Sequence, residues 1–218
     1  MKKSVYSLVL MDKVVNKIDM LAYKANTNRS NLINSILAEY LSMVTPQDIN
    51  NNIYDRIYKL MGAKEEFIIQ PYSGQTSLVV KSALNYKYNP VVKYSVELYA
   101  GMNNELGCVK AAVRTQNMAL IAAMNDFFQI FAKIEKKYID FGSGQMHFVE
   151  NGRFKRKFVV PNDSNIKGED VGEAISLYLE VLDASLKTFF NYSYKYSLAA
   201  DYIEELYVKY LKKQKIII

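Results

Sequence analysis

Residues 1–46 read as strand, helix, turn and helix, and a segment that short cannot enclose a core of its own. Residues 4–10 alternate. Tyr6, Leu8 and Leu10 fall on one side at period two, and Val5, Ser7 and Val9 on the other. Asp12 is placed to cap a helix whose apolar stripe is Val14, Val15, Ile18, Leu21, Ala22 and Ala25. Asn26, a residue that tolerates positive φ, is expected to end it. Asn28 or Ser30 opens a second helix with the stripe Leu32, Ile33, Ile36, Leu37, Tyr40 and Leu41, stopped at or before Pro46. A lone strand leaves both edges unpaired. A second copy solves both problems: residues 5–10 of the two chains pair as an antiparallel ribbon, with four helices packed beneath it.

Charge points the same way. Residues 1–46 carry six basic side chains against three acidic ones, and the rest carries 22 against 19, giving a net charge of +6. Positive charge is thus several-fold denser at the N-terminus, which permits a polyanionic partner.

Lys3 to Tyr40 resembles the ribbon-helix-helix fold of MetJ, Arc and CopG-type repressors. The resemblance rests on the run Lys-Ser-Val-Tyr-Ser-Leu-Val-Leu-Met-Asp and on Asn28-Arg29-Ser30 ahead of Leu32-Ile33. It covers about a fifth of the chain and depends on spacing, because the family has no invariant chemical motif. It implies a ribbon lying in the major groove. Val5, Ser7 and Val9 would face base edges, with Lys3 at the ribbon's end. Lys2, Lys13, Asn28, Arg29 and Ser30 would face phosphates, the last three at a helix N-terminus, which favours anions. The family usually places Arg, Lys, Thr, Asn or Gln on the outward strand face. Val-Ser-Val departs from that pattern and implies shallower base discrimination. A ribbon that only dimerises, with Val5 and Val9 against protein, is the alternative.

The remaining 172 residues suit an antiparallel sheet with long amphipathic helices. A short helix is expected over 47–62. Strands are expected at 67–69, 77–83, 91–99 and 106–114, bounded by Pro71 with Gly74, Asn89-Pro90 and Gly101 to Asn104, in a meander. Residues 116–138 form an apolar helix rich in Phe. Met146 to Val160 is a hairpin about Asn151-Gly152, the pair suited to a type I′ turn. In its second strand Arg153, Lys155 and Lys157 share one face, with Arg156 beside Phe154 and Phe158. These four residues form a possible second basic patch, and a solvated sheet surface is the plainer reading. Helices over 170–190, with Asp170 and Glu173 at capping-box spacing, and over 197–213 close the chain. The terminal Ile216-Ile217-Ile218 is expected to dock on this or another subunit.

Composition excludes much chemistry. One Cys and one His cannot supply a disulfide framework, a structural zinc site or a His-pair metal centre. No phosphate-cradling Gly-rich loop is present, and Gly142-Ser143-Gly144 is too short for one. His147 is expected to be structural or at the surface, and Cys108 a small buried hydrophobe. Tyr192, Tyr194 and Tyr196 cluster, which suits packing more than base stacking.

The expectation is therefore an α+β protein. A dimeric ribbon-helix-helix segment (1–46) precedes a sheet domain (47–218) that oligomerises or binds a protein partner or ligand. The chain would be a cytoplasmic, non-enzymatic, cofactor-free binder of double-stranded DNA without a membrane span, acting in transcriptional repression or in plasmid replication, transfer or partition. The alternative is a dimeric interaction module, antitoxin-like or a scaffold subunit, that binds no DNA.

Overall fold

The structure, a computed structural model, describes residues 5–25, 27–41, 43, 46–70, 77–99, 105–140, 142, 144–159, 167–192 and 195–218. Among these the order is α1 (Asp12–Lys24), α2 (Arg29–Tyr40), α3 (Pro46–Gly62), β1 (Phe67–Gln70), β2 (Ser77–Ala83), β3 (Val91–Leu98), β4 (Glu105–Val113), α4 (Met118–Tyr138), β5 (His147–Glu150), β6 (Arg153–Val159), α5 (Gly168–Asn191) and α6 (Tyr196–Leu211). The class is mixed α and β: six helices and one open, antiparallel, six-stranded sheet.

Strand order is β1-β2-β3-β4-β6-β5, so the meander runs through four strands and the last hairpin joins it by its second strand. Alternation decides which side each residue faces. Leu78, Val80, Val92, Tyr94, Val96, Val109, Ala111, Phe154 and Phe158 are buried toward α3–α6. Asn151 (φ 49°) and Gly152 (φ 69°) both adopt positive φ, as a type I′ turn requires. Gly107 is needed for close approach: a Cβ there would lie 2.0 Å from the Glu97 carbonyl oxygen.

The long helices roof one side of the sheet. Phe127, Phe128 and Phe131 of α4 are fully buried, and Phe128 stacks on Phe154 of β6 at 4.9 Å. Helix α5 packs between α3 and α6, and Gly172 lets α3 pass close by, where a Cβ would meet that of Arg56 at 2.7 Å. Ile218 is 2% exposed in this core and Ile216 packs partly buried against it, so the C-terminus docks on its own chain through these two while Ile217 stays exposed.

Several boundaries differ from the sequence reading. Met11, not Asp12, is the N-cap of α1, and Asp12 sits inside the first turn, where its charge suits the helix dipole. Helix α5 starts two residues before Asp170 with no side-chain cap, so the expected capping box is not formed. Helix α6 ends at Leu211 rather than 213. Residues 5–11 form neither helix nor strand in the single chain, so the expected ribbon strand is not observed there. A ladder needs a neighbour, and among the described residues no strand pairs with this segment. Ser4, Asn26, the turn residues Pro71, Gly74 and 101–104, and Ser143, Val160 and Tyr194 lie outside the described residues.

Candidate nucleic-acid interface

Helices α1 and α2 pack on each other through part of their stripes. Ala22 is buried, while Val14, Val15, Ile18, Leu32 and Ile33 are half-buried. The rest of both stripes stays open: Leu21, Ile36, Leu37, Tyr40 and Leu41 are exposed. In the preceding segment Val5 and Val9 are 99% and 102% exposed, against 64% for Leu8 and 40% for Leu10. The face expected to turn inward is thus the more covered one, although most of it remains in water.

The start of α2 is capped at Asn28, one of the two positions its sequence offers. The Asn28 side chain accepts a hydrogen bond from the Asn31 N–H at 2.9 Å and so caps α2. Ser30 lies in the first turn, where its carbonyl accepts from the Asn34 side chain. Arg29 does not reach freely outward. Its Nε and Nη2 donate to the two carboxylate oxygens of Asp19 on α1, at 2.6 and 2.5 Å. That hydrogen-bonded pairing holds the Asp19 carboxyl below its usual pKa. A phosphate at the α2 N-terminus would share Arg29 with Asp19. Val5, Ser7, Val9, Lys13, Asn28, Arg29 and Ser30 are all exposed, and Lys2 and Lys3 lie outside the described residues.

The second basic patch is divided. Arg153 is exposed and Lys155 and Lys157 are half-exposed on the helix-free side of β6. Lys157 pairs with Glu105 at 2.6 Å, and Lys155 lies over the Phe148 ring. Arg156 is fully buried on the opposite side and cannot belong to that surface. Alternation puts it with Phe154 and Phe158, and a cation there requires an anion.

The anion is Glu135 of α4, which the sequence reading missed. Arg156 donates to its Oε1 from Nη2 at 2.8 Å and from Nε at 3.1 Å. His147 Nε2 lies 2.7 Å from Oε2, and the Tyr178 hydroxyl donates to the same oxygen at 3.1 Å. Burial pushes the Glu135 pKa up, but the Arg156 charge and the His147 hydrogen bond outweigh it and hold the carboxyl below its ordinary value. Burial likewise pushes the Tyr178 hydroxyl well up, with the Glu135 charge acting in the same sense. The Arg156 guanidinium also lies over the Tyr178 ring at 4.8 Å. All four groups are closed off from solvent, so the cluster braces α4, α5 and the β5–β6 hairpin and gives no substrate a route in. One signal for it was present: Glu135 continues the Met124, Phe128, Phe131 row at helical spacing.

Among the described residues no other place gathers reactive groups. A cleft of about 510 Å³ is lined by Lys136, Lys137, Tyr138, Asp140, Gly142 and Gly144, and both Lys137 and Tyr138 are engaged by Glu204. Cys108 is buried mid-strand. Tyr196 stacks on Phe189 and Tyr192 lies tilted against Tyr202, both in packing roles. Among the described residues no group of three or more His, Cys, Asp or Glu is placed to hold a metal ion. No described helix is long and apolar enough to cross a membrane. No protein-family model matches this chain, and no curated protein and no solved structure matches it either.

Proposed function

We propose that the chain is a ribbon-helix-helix DNA-binding protein. It would dimerise through residues 5–10 and α1–α2, and read duplex DNA with Val5, Ser7 and Val9. Its role would be transcriptional repression or control of plasmid replication, transfer or partition. The observation that carries this reading is the uncovered apolar side of residues 5–41, in which Leu8, Leu21, Ile36, Leu37, Tyr40 and Leu41 are all exposed. So many exposed large apolar side chains on so small a segment mark an interface. A second copy presents the complementary surface by symmetry, and pairing residues 5–10 of two chains satisfies their backbone groups. The spacing of the segment and its dense positive charge support duplex DNA as the ligand.

One observation favours the second reading, a dimer that binds no DNA: the engagement of Arg29 by Asp19. The response of duplex binding to substitutions at Ser7 and Arg29 in the full chain separates the two. Under the first reading Ser7→Ala alters sequence preference by about 1 kcal/mol per contacted base pair. Arg29→Ala then weakens all duplexes alike and lowers the salt slope by about one per subunit. Under the second reading neither change has any effect.

A further inference from the structure

The helix-free side of the sheet carries charge in an arrangement that folding alone disfavours. Lys81 of β2 stands directly opposite Lys93 of β3, and Lys110 of β4 directly opposite Lys155 of β6. Like charges facing each other across a ladder destabilise a sheet. Arg153 lies in the Lys81–Lys93 row, reached through Ala112 of β4. Strands about 4.8 Å apart put Lys81, Lys93 and Arg153 in a row roughly 15 Å long, with Lys110 and Lys155 in the next row.

Carboxylates answer only part of this charge. Glu97 pairs with Lys110 at 2.7 Å, Glu105 pairs with Lys157, and Glu150 stands opposite Arg153 in register. Among the described residues no carboxylate lies within ion-pairing distance of Lys81, Lys93, Arg153 or Lys155. The neighbouring positions carry short side chains: Ala112 lies between Lys93 and Arg153, and Ser95 and Val79 continue the next row beyond Lys110. A flat ligand backbone can therefore approach the cations closely. The one aromatic side chain in these two rows is Phe148, at the far strand and under Lys155. Binding of single strands rests on successive stacking platforms, and one Phe at the edge strand does not make a series.

We infer that this side of the sheet is a second nucleic-acid surface, in which Lys81, Lys93, Arg153 and Lys155 hold the phosphodiester backbone of duplex DNA. It recognises charge and spacing, not sequence. The bound phosphates relieve the facing lysines, so the stability that the bare sheet forgoes returns on binding. The inference deepens the duplex-binding reading but does not rest on residues 5–10.

The test is fluorescence anisotropy of the full chain on a labelled mixed-sequence duplex of about 30 base pairs, from 50 to 300 mM salt. The variant is Lys81→Gln/Lys93→Gln/Lys155→Gln. The control, Lys59→Gln/Lys133→Gln/Lys209→Gln, removes the same charge from exposed positions on α3, α4 and α6. The sheet variant is expected to lower the salt slope by about three and the control by less than one. The DNA-free sheet variant should melt at the wild-type temperature or above, which shows that it folds. An unchanged slope, an equal loss in both variants, binding confined to single strands, or no duplex binding by the wild type each overturns the inference. Loss in the sheet variant, with Ser7→Ala and Arg29→Ala silent, would retain this surface and reject the ribbon.

Discussion

Glu135 and Arg156 meet with both side chains fully buried, the guanidinium gripping one carboxylate oxygen from two nitrogens at 2.8 and 3.1 Å. Neither charge could stay at its position alone. They stand 21 residues apart, on α4 and β6, and their pairing fixes how the helix lies on the hairpin. Buried pairs of this kind add less to stability than to uniqueness, because desolvation offsets most of the attraction.

Arg156→Met should therefore be severe, since it leaves Glu135 charged, buried and without its counter-ion. A loss of about 3–5 kcal/mol is expected in urea unfolding. Glu135→Leu/Arg156→Met should recover most of that loss. A double variant as unstable as the single one would mean that packing, not charge, dominates the site.

The same pair sets a pH dependence. The folded-state pKa of Glu135 lies below its unfolded value, so its contribution is full above the unfolded value, near 4.5. It is lost as pH falls through the folded value. Glu135→Gln should be less stable than wild type at pH 7, and the gap should narrow steadily below about pH 4.5. Chemical denaturation at pH 7, 5, 4 and 3 checks this, and a gap that widens in acid would contradict it.

Asp19 competes with DNA for Arg29 if the α2 N-terminus holds a phosphate. Asp19→Asn releases the guanidinium and removes a negative charge from the same surface. It should tighten binding to every duplex at low salt and steepen the salt slope. Titrations at 50 and 200 mM salt measure both. Weaker binding would mean that Asp19 positions Arg29 rather than holding it back.

Leu8→Asp puts a charge into the expected shared core of the ribbon dimer. Sedimentation of the full chain should then show monomer where the wild type shows dimer. Residues 47–218 carry their own core, so helix content should persist. A dimer of unchanged affinity would exclude residues 5–10 from the interface.

How far the sequence foretold this fold depends on the range of the interactions. Strand β2 and the Asn151-Gly152 turn were readable to the residue, because alternation and positive-φ preference are local. The acidic residues Asp12 and Asp170 suggest caps one and three residues after the observed ones. Met11 and Lys167 fill those positions with extended backbone and no side-chain bond. The place of β5 at the sheet edge, beyond β6, was not readable, since nothing local selects β4 as the partner of β6. Glu135 went unseen for the same reason: its partners lie 12, 21 and 43 residues away. Arg156 was noticed beside its phenylalanines, but only the observed burial shows that it belongs to the core and not to a basic surface. The facing lysines were equally hidden, because Lys81 and Lys93 become neighbours only through the β2–β3 register.

Under the proposed function two copies of residues 1–46 read duplex DNA. Selection of bound duplexes from a random pool by the full-length protein tests it most directly. A two-fold symmetric site should be enriched, with shallow preferences where Val5, Ser7 and Val9 meet base edges and with T·A pairs favoured for valine contact with thymine methyls. Leu8→Asp should abolish that enrichment. A pool that emerges unenriched, or enriched equally by wild type and Leu8→Asp, would contradict the claim.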